Sequence, residues 1–465
     1  MPSEKSTSLK IEKKEIVYIK PLISVSPCTL SLSILDRKDI NNNLCQTVHV
    51  YRRSSLENHD FDSGSNSYVI FKEALSKALC FYYPLAGRLE KPSENENLRV
   101  VFDANNAEFG VPFLEATANC SLDSLNYLDN ADTEVAKQLV FDPPSPQDKC
   151  YPLVVMVTQF ICGGITIGMG LSHAVCDGFG ASQFFNAIVE IAKGRNEPTV
   201  KPIWEREIFD HLVATKKPIQ CLMDKESSTF SPLLQPETVI KQYCFKVKAE
   251  EIQRLKMRLV EGNDKESTHI TTFESLAAYV WRARARALRL HNNGKTMLTL
   301  LVSMRRNVME IPLPKGYYGN SIVDGNIILN VAELIENPLN EIVQRIKTAK
   351  NDAFTKDYIK NYIMNALDTN HEDEFIMESS GAVTVLTEWK HLGFQGSIDF
   401  GGFEAVNFVI APCNMFQLVG TCIFMSPCKL DDQDPSMKGG ARIFITLPVD
   451  AMPKFKEEME ALNVS

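Results

Sequence analysis

The sequence predicts an α/β protein of two domains, each with a mixed sheet and flanking helices, and three observations lead there. The chain has 465 residues, more than one ordinary hydrophobic core serves, so two domains of about 200 residues each are the default. Period-2 and period-3.6 apolar patterns alternate in both halves, with no short internal repeat. Between the halves the patterning lapses over residues 197–237, where KKPIQ and KESSTFSPLLQPE are polar and proline-bearing and read as a crossover connection. Domains of residues 1–196 and 238–465 then flank it.

Composition narrows the function. Hydrophobic residues make up 44% of the chain and charged ones 23%, the balance of a water-soluble globular protein. A net charge of −9 disfavours a polyanionic partner, and no aromatic-studded basic patch argues for nucleic acid. The opening MPSEKSTSLKIEKKEIVYIKP lacks the apolar core of a leader and no 18-residue apolar stretch follows. No membrane partner is expected, and the cytoplasm is the simplest address. The 12 cysteines include no C-x-x-C pair, so reduced thiols are expected, with neither a zinc site nor a disulfide framework.

In chain order, IVYIKPLISVSPCTLSLSILD is a strand broken by two prolines and an apolar stretch ending at Asp36. LCQTVHVYRR alternates, with Val48 and Val50 on one face. Phe71, Leu75, Ala78 and Leu79 have helical spacing, and Pro84 stops that helix. Arg88-Leu89-Glu90 and LRVVFDA read as strands, and residues 108–113 as a loop. YPLVVMVTQF and ITIGMGLSH form a hairpin across Cys162-Gly163-Gly164, where glycine tolerates φ > 0. Ile165, Ile167, Met169 and Leu171 share a face; His173 continues it and Ser172 faces the other side. Asp177-Gly178 then opens a helix carrying Ala181, Phe184, Phe185, Ile188 and Ile191 at a 3.6 period and stopping at Gly194.

The second half resumes with QYCFKVKAEEIQRLKMRL, passing from strand to helix. A further helix starts where Thr271 or Thr272 can cap, with Phe273, Leu276, Ala277, Val280 and Trp281 as its apolar stripe. Then come the strand TLLVSMRR, the turn PLPKGYYGN, the helix LNEIVQRIKTAKNDAF and the strand AVTVLTEW. The glycine-rich GFQGSIDFGGFEAV, the strands FVIAP and LVGTCIFM and a last strand-helix unit complete the chain.

His173 with Asp177 is the pattern that carries chemistry. Histidine accepts and returns a proton near neutral pH, as a general base must. By spacing alone, a core histidine followed by an N-capping Asp177 explains the pattern equally well. With 8 histidines, about one H-x-x-x-D pair arises by chance in every two or three such chains. Cys176 beside His173 is a candidate nucleophile, set against the small buried hydrophobe that cysteine usually is.

The motifs taken together decide the class. HAVCDG at 173–178, LSLSILD at 30–36, LSKALCFYYPLAGRL at 75–89, FESLAAYVWRARARA at 273–287, PLPKGYYGN at 312–320 and IDFGGF at 398–403 span essentially the whole chain. In these the chain resembles the BAHD acyltransferases, plant enzymes that move an acyl group from coenzyme A to an alcohol or amine. KPIWERE at 201–207 and YPLVVMVTQFICGG resemble the branch that acylates benzyl alcohol, taxane and alkaloid hydroxyls.

The resemblance implies two similar chloramphenicol-acetyltransferase-like domains with a channel between them, in a monomer with no permanently bound cofactor. It implies acyl-CoA as donor and a small-molecule acceptor, a hydroxyl of a specialised metabolite first and an amine second. His173 would be the general base in a ternary complex. Thr387 and Trp389 would donate to the tetrahedral intermediate. Asp177 would pair with Arg305 rather than act in a triad, Lys256 and Thr272 would lie near coenzyme A, and Asp399 and Gly401 would be structural.

One motif departs from the family. Asp399-Phe400-Gly401-Gly402-Phe403 lacks the tryptophan of D-F-G-W-G. The resemblance makes this a loosened structural loop, so Gly402→Trp is expected to raise stability or tighten acyl-CoA binding. A repurposed, non-catalytic member is the alternative. A serine hydrolase is the remaining one, because Gly170-Leu171-Ser172-His173-Ala174 half-matches a nucleophile elbow but lacks the closing glycine.

Overall fold

In the computed structural model the described residues are 9–37, 44–54, 67–93, 96–106, 109–129, 133–144, 149–212, 238–261, 269–305, 312–365, 381–394, 399–411 and 420–464. They form a mixed α/β structure around a seven-stranded and a six-stranded sheet, with a smaller four-stranded sheet beside them. The seven-stranded sheet runs Ile11–Lys13, Val111–Ala118, Leu153–Gln159, Ile165–Ser172, Leu44–Arg53, Phe403–Ile410, with Val17–Ile19 also on Val111–Ala118. The six-stranded sheet runs Ile240–Val247, Ala441–Pro448, Gly420–Met425, Val383–Glu388, Lys295–Ser303, Ile322–Asn330. Parallel pairs occur in both, such as Val111–Ala118 with Leu153–Gln159 and Val383–Glu388 with Gly420–Met425.

The hairpin across Gly163 forms as its alternation requires, with Ile167 opposite Val157 and Gly163 at φ +77°. Strand parity sorts the side chains into two cores. Ile165, Ile167, Met169 and Leu171 face the helices Ser67–Ala78 and Gly178–Ala192, burying Phe71, Leu75, Phe184, Phe185 and Ile188. Each such side chain contributes about 1.5–3 kcal/mol of burial. Val48 and Val50 point the other way and pack with Ile423, Met425 and Phe444 of the second sheet, so an apolar layer joins the two halves. The second sheet is backed by Ala249–Val260 and Thr272–Ala287, through Ile252, Leu255, Leu276 and Trp281.

Three placements differ from the sequence reading. Residues 111–113 belong to a strand rather than a loop: Pro112 is its second residue, ahead of the ladder to Leu153–Gln159 that begins at Phe113, and on the other side it stands opposite Tyr18 of the short strand Val17–Ile19. The strand after Asp399-Phe400-Gly401-Gly402 sits in the second half of the sequence, yet it completes the first sheet by pairing with Leu44–Arg53. The start of the crossover is packed, since Ile203 accepts from Tyr318 N and donates to Gly316 O. Residues 213–237 lie outside the described residues. Among the described residues no helix is long and apolar enough to cross a membrane.

Candidate active site

Strand Ile165–Ser172 delivers His173 to a turn that ends in helix Gly178–Ala192. The imidazole is half-buried, with Nδ1 shielded from solvent. Ser172 is buried and its Oγ accepts from Ala174 N at 3.3 Å, a local turn bond rather than the exposed hydroxyl of a nucleophile elbow. Cys176 is buried as well. Burial pushes its thiol up to about 12, so it stays protonated at neutral pH and is no nucleophile.

Asp177 does two jobs at once. As the N-cap it accepts from Gly180 N at 3.0 Å, satisfying one orphan donor of the helix. It also pairs with Arg305 Nη2 at 3.0 Å and accepts from Ser321 N and Oγ at 3.1 and 3.0 Å. Arg305 also donates through Nη1 and Nη2 to the carbonyls of Tyr317 and Gly319. With its carboxylate so filled and only 2% of its side chain exposed, Asp177 is a fastener between the two halves.

A second buried cluster holds the same turn, and sequence reasoning gave its members no role. Asp36 Oδ1 accepts from Asn320 N and Nδ2 at 2.9 and 2.8 Å, and Asp36 Oδ2 pairs with Arg206 Nη1. Asn320 Nδ2 also reaches the carbonyl of His173 at 2.7 Å, and Arg206 Nη2 reaches those of Val175 and Tyr318 at 2.7 and 3.0 Å. Their signal was present in LSLSILD, KPIWERE and PLPKGYYGN, but nothing local to those segments links them.

Thr387 and Trp389 lie at the end of strand Val383–Glu388 and just beyond it, both half-buried. Trp389 N donates to Phe424 O at 2.7 Å and its ring packs with Phe394 and Phe408. The loop that follows crosses onto the His173 helix: Leu392 lies so close to Gly178 that a Cβ there would meet Leu392 Cδ1 at 2.7 Å. Thr387 and Trp389 are thereby joined, through Leu392, to the helix that begins five residues after His173.

The remaining residues stand apart. Asp399 Oδ1 accepts from Ala405 N at 2.9 Å, and burial together with the Asp399 charge pushes the Tyr51 phenol up. This hairpin adjoins the Ile165 end of the central strand, because Phe403 pairs with Arg53 and Tyr51 with Ile165. At 3.3 Å per residue that is about 23 Å from the His173 end. Gly401 lies against Ile70, with φ +51°. Lys256, in helix Ala249–Val260, and Thr272, the first residue of Thr272–Ala287, are half-buried on neighbouring helices of the second half.

Comparison with known proteins gives the family and the fold. The profile of the Transferase family matches residues 9–462. Spermidine coumaroyl-CoA acyltransferase of Arabidopsis thaliana is 36% identical over 461 residues, 98% of this chain and 96% of that one. Taxadien-5-alpha-ol O-acetyltransferase of Taxus chinensis is 30% identical over 465 residues, 98% of each chain. The crystal structure of vinorine synthase superposes with a TM-score of 0.72 at 21% identity, over 97% of this chain and 98% of that one, which establishes the shared fold. With a family profile over nearly its whole length and relatives that carry acyl groups to both oxygen and nitrogen, the chain belongs to the BAHD transferase family and is an acyl-CoA-dependent acyltransferase.

Proposed function

We propose that the protein transfers an aromatic acyl group from coenzyme A to a nitrogen of a polyamine, with His173 as general base in a ternary complex. The observation that carries the proton relay is the position of His173, half-buried at the end of a rigid strand on a turn pinned by Asp177, Arg305 and Asn320. His173 takes the proton of the attacking amine as nitrogen bonds to the thioester carbonyl carbon. When the C–S bond breaks, the imidazolium returns that proton to the leaving thiolate, so no acyl-enzyme is needed. Thr387 and Trp389 are the proposed donors to the oxyanion, and Lys256 and Thr272 the proposed contacts to coenzyme A.

The acceptor assignment draws on the spermidine acyltransferase, 36% identical against 30% for the taxadienol enzyme. A net charge of −9 also favours encounter with a cationic acceptor. The hydroxyl acceptor that the sequence motifs put first is the second reading, supported by the taxadienol enzyme, and the same relay serves it. Release of free coenzyme A from coumaroyl-CoA and from acetyl-CoA is to be followed with spermidine, with a diterpene alcohol and with no acceptor. Spermidine-dependent release with an amide product is expected. Release only with the alcohol reassigns the acceptor to oxygen, and equal release without acceptor replaces transfer by hydrolysis.

A further inference from the structure

We propose that Arg206, at the start of the crossover, is a positioning residue for His173, acting with Asp36 and Asn320 as a second clamp beside the one formed by Asp177 and Arg305. The two clamps grip different parts of one turn. Arg305 and Ser321 hold the side chain of Asp177 at its end. Arg206 and Asn320 hold main-chain carbonyls at its start and middle, Asn320 on His173 at 2.7 Å and Arg206 on Val175 at 2.7 Å. Asp36 ties those two donors together: one carboxylate oxygen takes Asn320 Nδ2 at 2.8 Å and the other takes Arg206 Nη1. Ser33 N and Oγ complete that second oxygen at 2.9 and 2.7 Å.

Exposure of these side chains is 3% for Arg206 and 0% for Asp36, so water does not substitute for a lost contact. A guanidinium suits this place because its fork reaches Asp36 through Nη1 and two carbonyls, Val175 and Tyr318, through Nη2. An ammonium keeps the charge but not that planar fork. The clamp ends on the backbone of residue 173, so it leaves the imidazole chemically untouched and fixes where the ring stands. Proton transfer needs heavy atoms about 2.6–3.2 Å apart, and a displacement of about 1 Å costs on the order of 100-fold in rate.

The test compares Arg206→Lys with Arg442→Lys. Arg442 forms a buried pair with Asp431 at 2.6 Å on the second sheet and makes no contact with the His173 turn among the described residues. Arg206→Lys is expected to lower kcat per folded molecule about 10- to 100-fold while KM for acyl-CoA stays within about twofold. Arg442→Lys is expected to lower Tm comparably and leave kcat per folded molecule unchanged. An Arg206→Lys enzyme with wild-type kcat per folded molecule, or an equal kcat loss in Arg442→Lys, overturns the proposal. If Arg206→Lys does not fold, Asn320→Ala, which leaves the Arg206–Asp36 pair in place, is read by the same split, and an unchanged kcat there overturns it. The proposal rests on His173 as the base, so His173→Ala is run alongside. An active His173→Ala removes both readings, whereas an inactive one beside a fully active Arg206→Lys removes only the positioning role.

Discussion

Arg305 Nη2 lies 3.0 Å from Asp177 Oδ1 and 3.2 Å from Asp177 Oδ2, joining residues 128 apart in the chain. Asp177→Asn removes the charge that Arg305 faces while keeping much of the shape. Loss of one partner of a buried pair costs about 3–5 kcal/mol, and the partial exposure of Arg305 places this pair at the lower end. Asp177→Asn and Arg305→Gln are each expected to lower Tm and activity together. In the double mutant the losses should fall short of the sum, and strict additivity in denaturant unfolding would show that the two residues do not interact.

His173→Ala removes the proton acceptor and leaves strand, turn and helix in place. A loss of about 10²–10⁴-fold in kcat is expected, with an unchanged circular dichroism spectrum and retained acyl-CoA binding. Ser172→Ala should cost little activity, because Ser172 serves its own turn. The reverse ranking in steady-state kinetics would move the chemistry to the serine.

His49 is a buried histidine stacked on Phe185 at 3.6 Å between ring centroids, and burial pushes its pKa down to about 3 from an ordinary 6.5. In the unfolded chain it binds a proton below about pH 6.5, while in the folded protein it does not until about pH 3. Its contribution to stability is therefore whole above pH 6.5 and lost as pH falls towards 3, at about 1.4 kcal/mol per pH unit. His49→Phe, which keeps an aromatic ring beside Phe185 and Phe408, should flatten the acid side of the stability profile. A profile as steep as that of the wild type would assign the acid sensitivity to other groups.

Gly402 has φ +76° and its neighbour Gly401 φ +51°. The left-handed region costs a residue with a Cβ about 1–2 kcal/mol. Gly402→Trp is therefore expected to lower Tm, contrary to what the family motif alone suggests, unless the loop rebuilds around the indole. Because this loop lies beyond the Ile165 end of the central strand, more than about 23 Å from the His173 end, kcat per folded molecule should stay near wild type. A rise in Tm would show that the loop had rearranged to bury the indole.

Much of the local structure was legible because it depends on neighbours a few residues apart. Alternation set the hairpin strand Ile165–Ser172, which ends one residue before His173, and the Thr271/Glu274 capping box began a helix where threonine is expected to cap. Asp177 satisfied both of its readings, as N-cap and as ion-pair partner, because Oδ1 accepts from both Gly180 N and Arg305 while Oδ2 takes Ser321. Of the loop read over residues 108–113, only 111–113 turned out to be strand, because the pairing of Val111, Pro112 and Phe113 with Ile19, Tyr18 and Val17 is made by a segment about 90 residues away in the sequence.

The sequence by itself determined the mixed α/β class, the period of most elements, the family and the residues able to do proton chemistry. Those properties follow from side-chain types and spacings, which survive any arrangement of the elements in space. Only the tertiary structure decided partners. It set Phe403–Ile410 beside Leu44–Arg53 in the first sheet and gave Asp36 to Asn320, 284 residues away, and to Arg206. A strand edge or a carboxylate accepts any complementary group of suitable geometry. Which group arrives is fixed by how all the apolar faces pack at once, and that is a property of the whole chain.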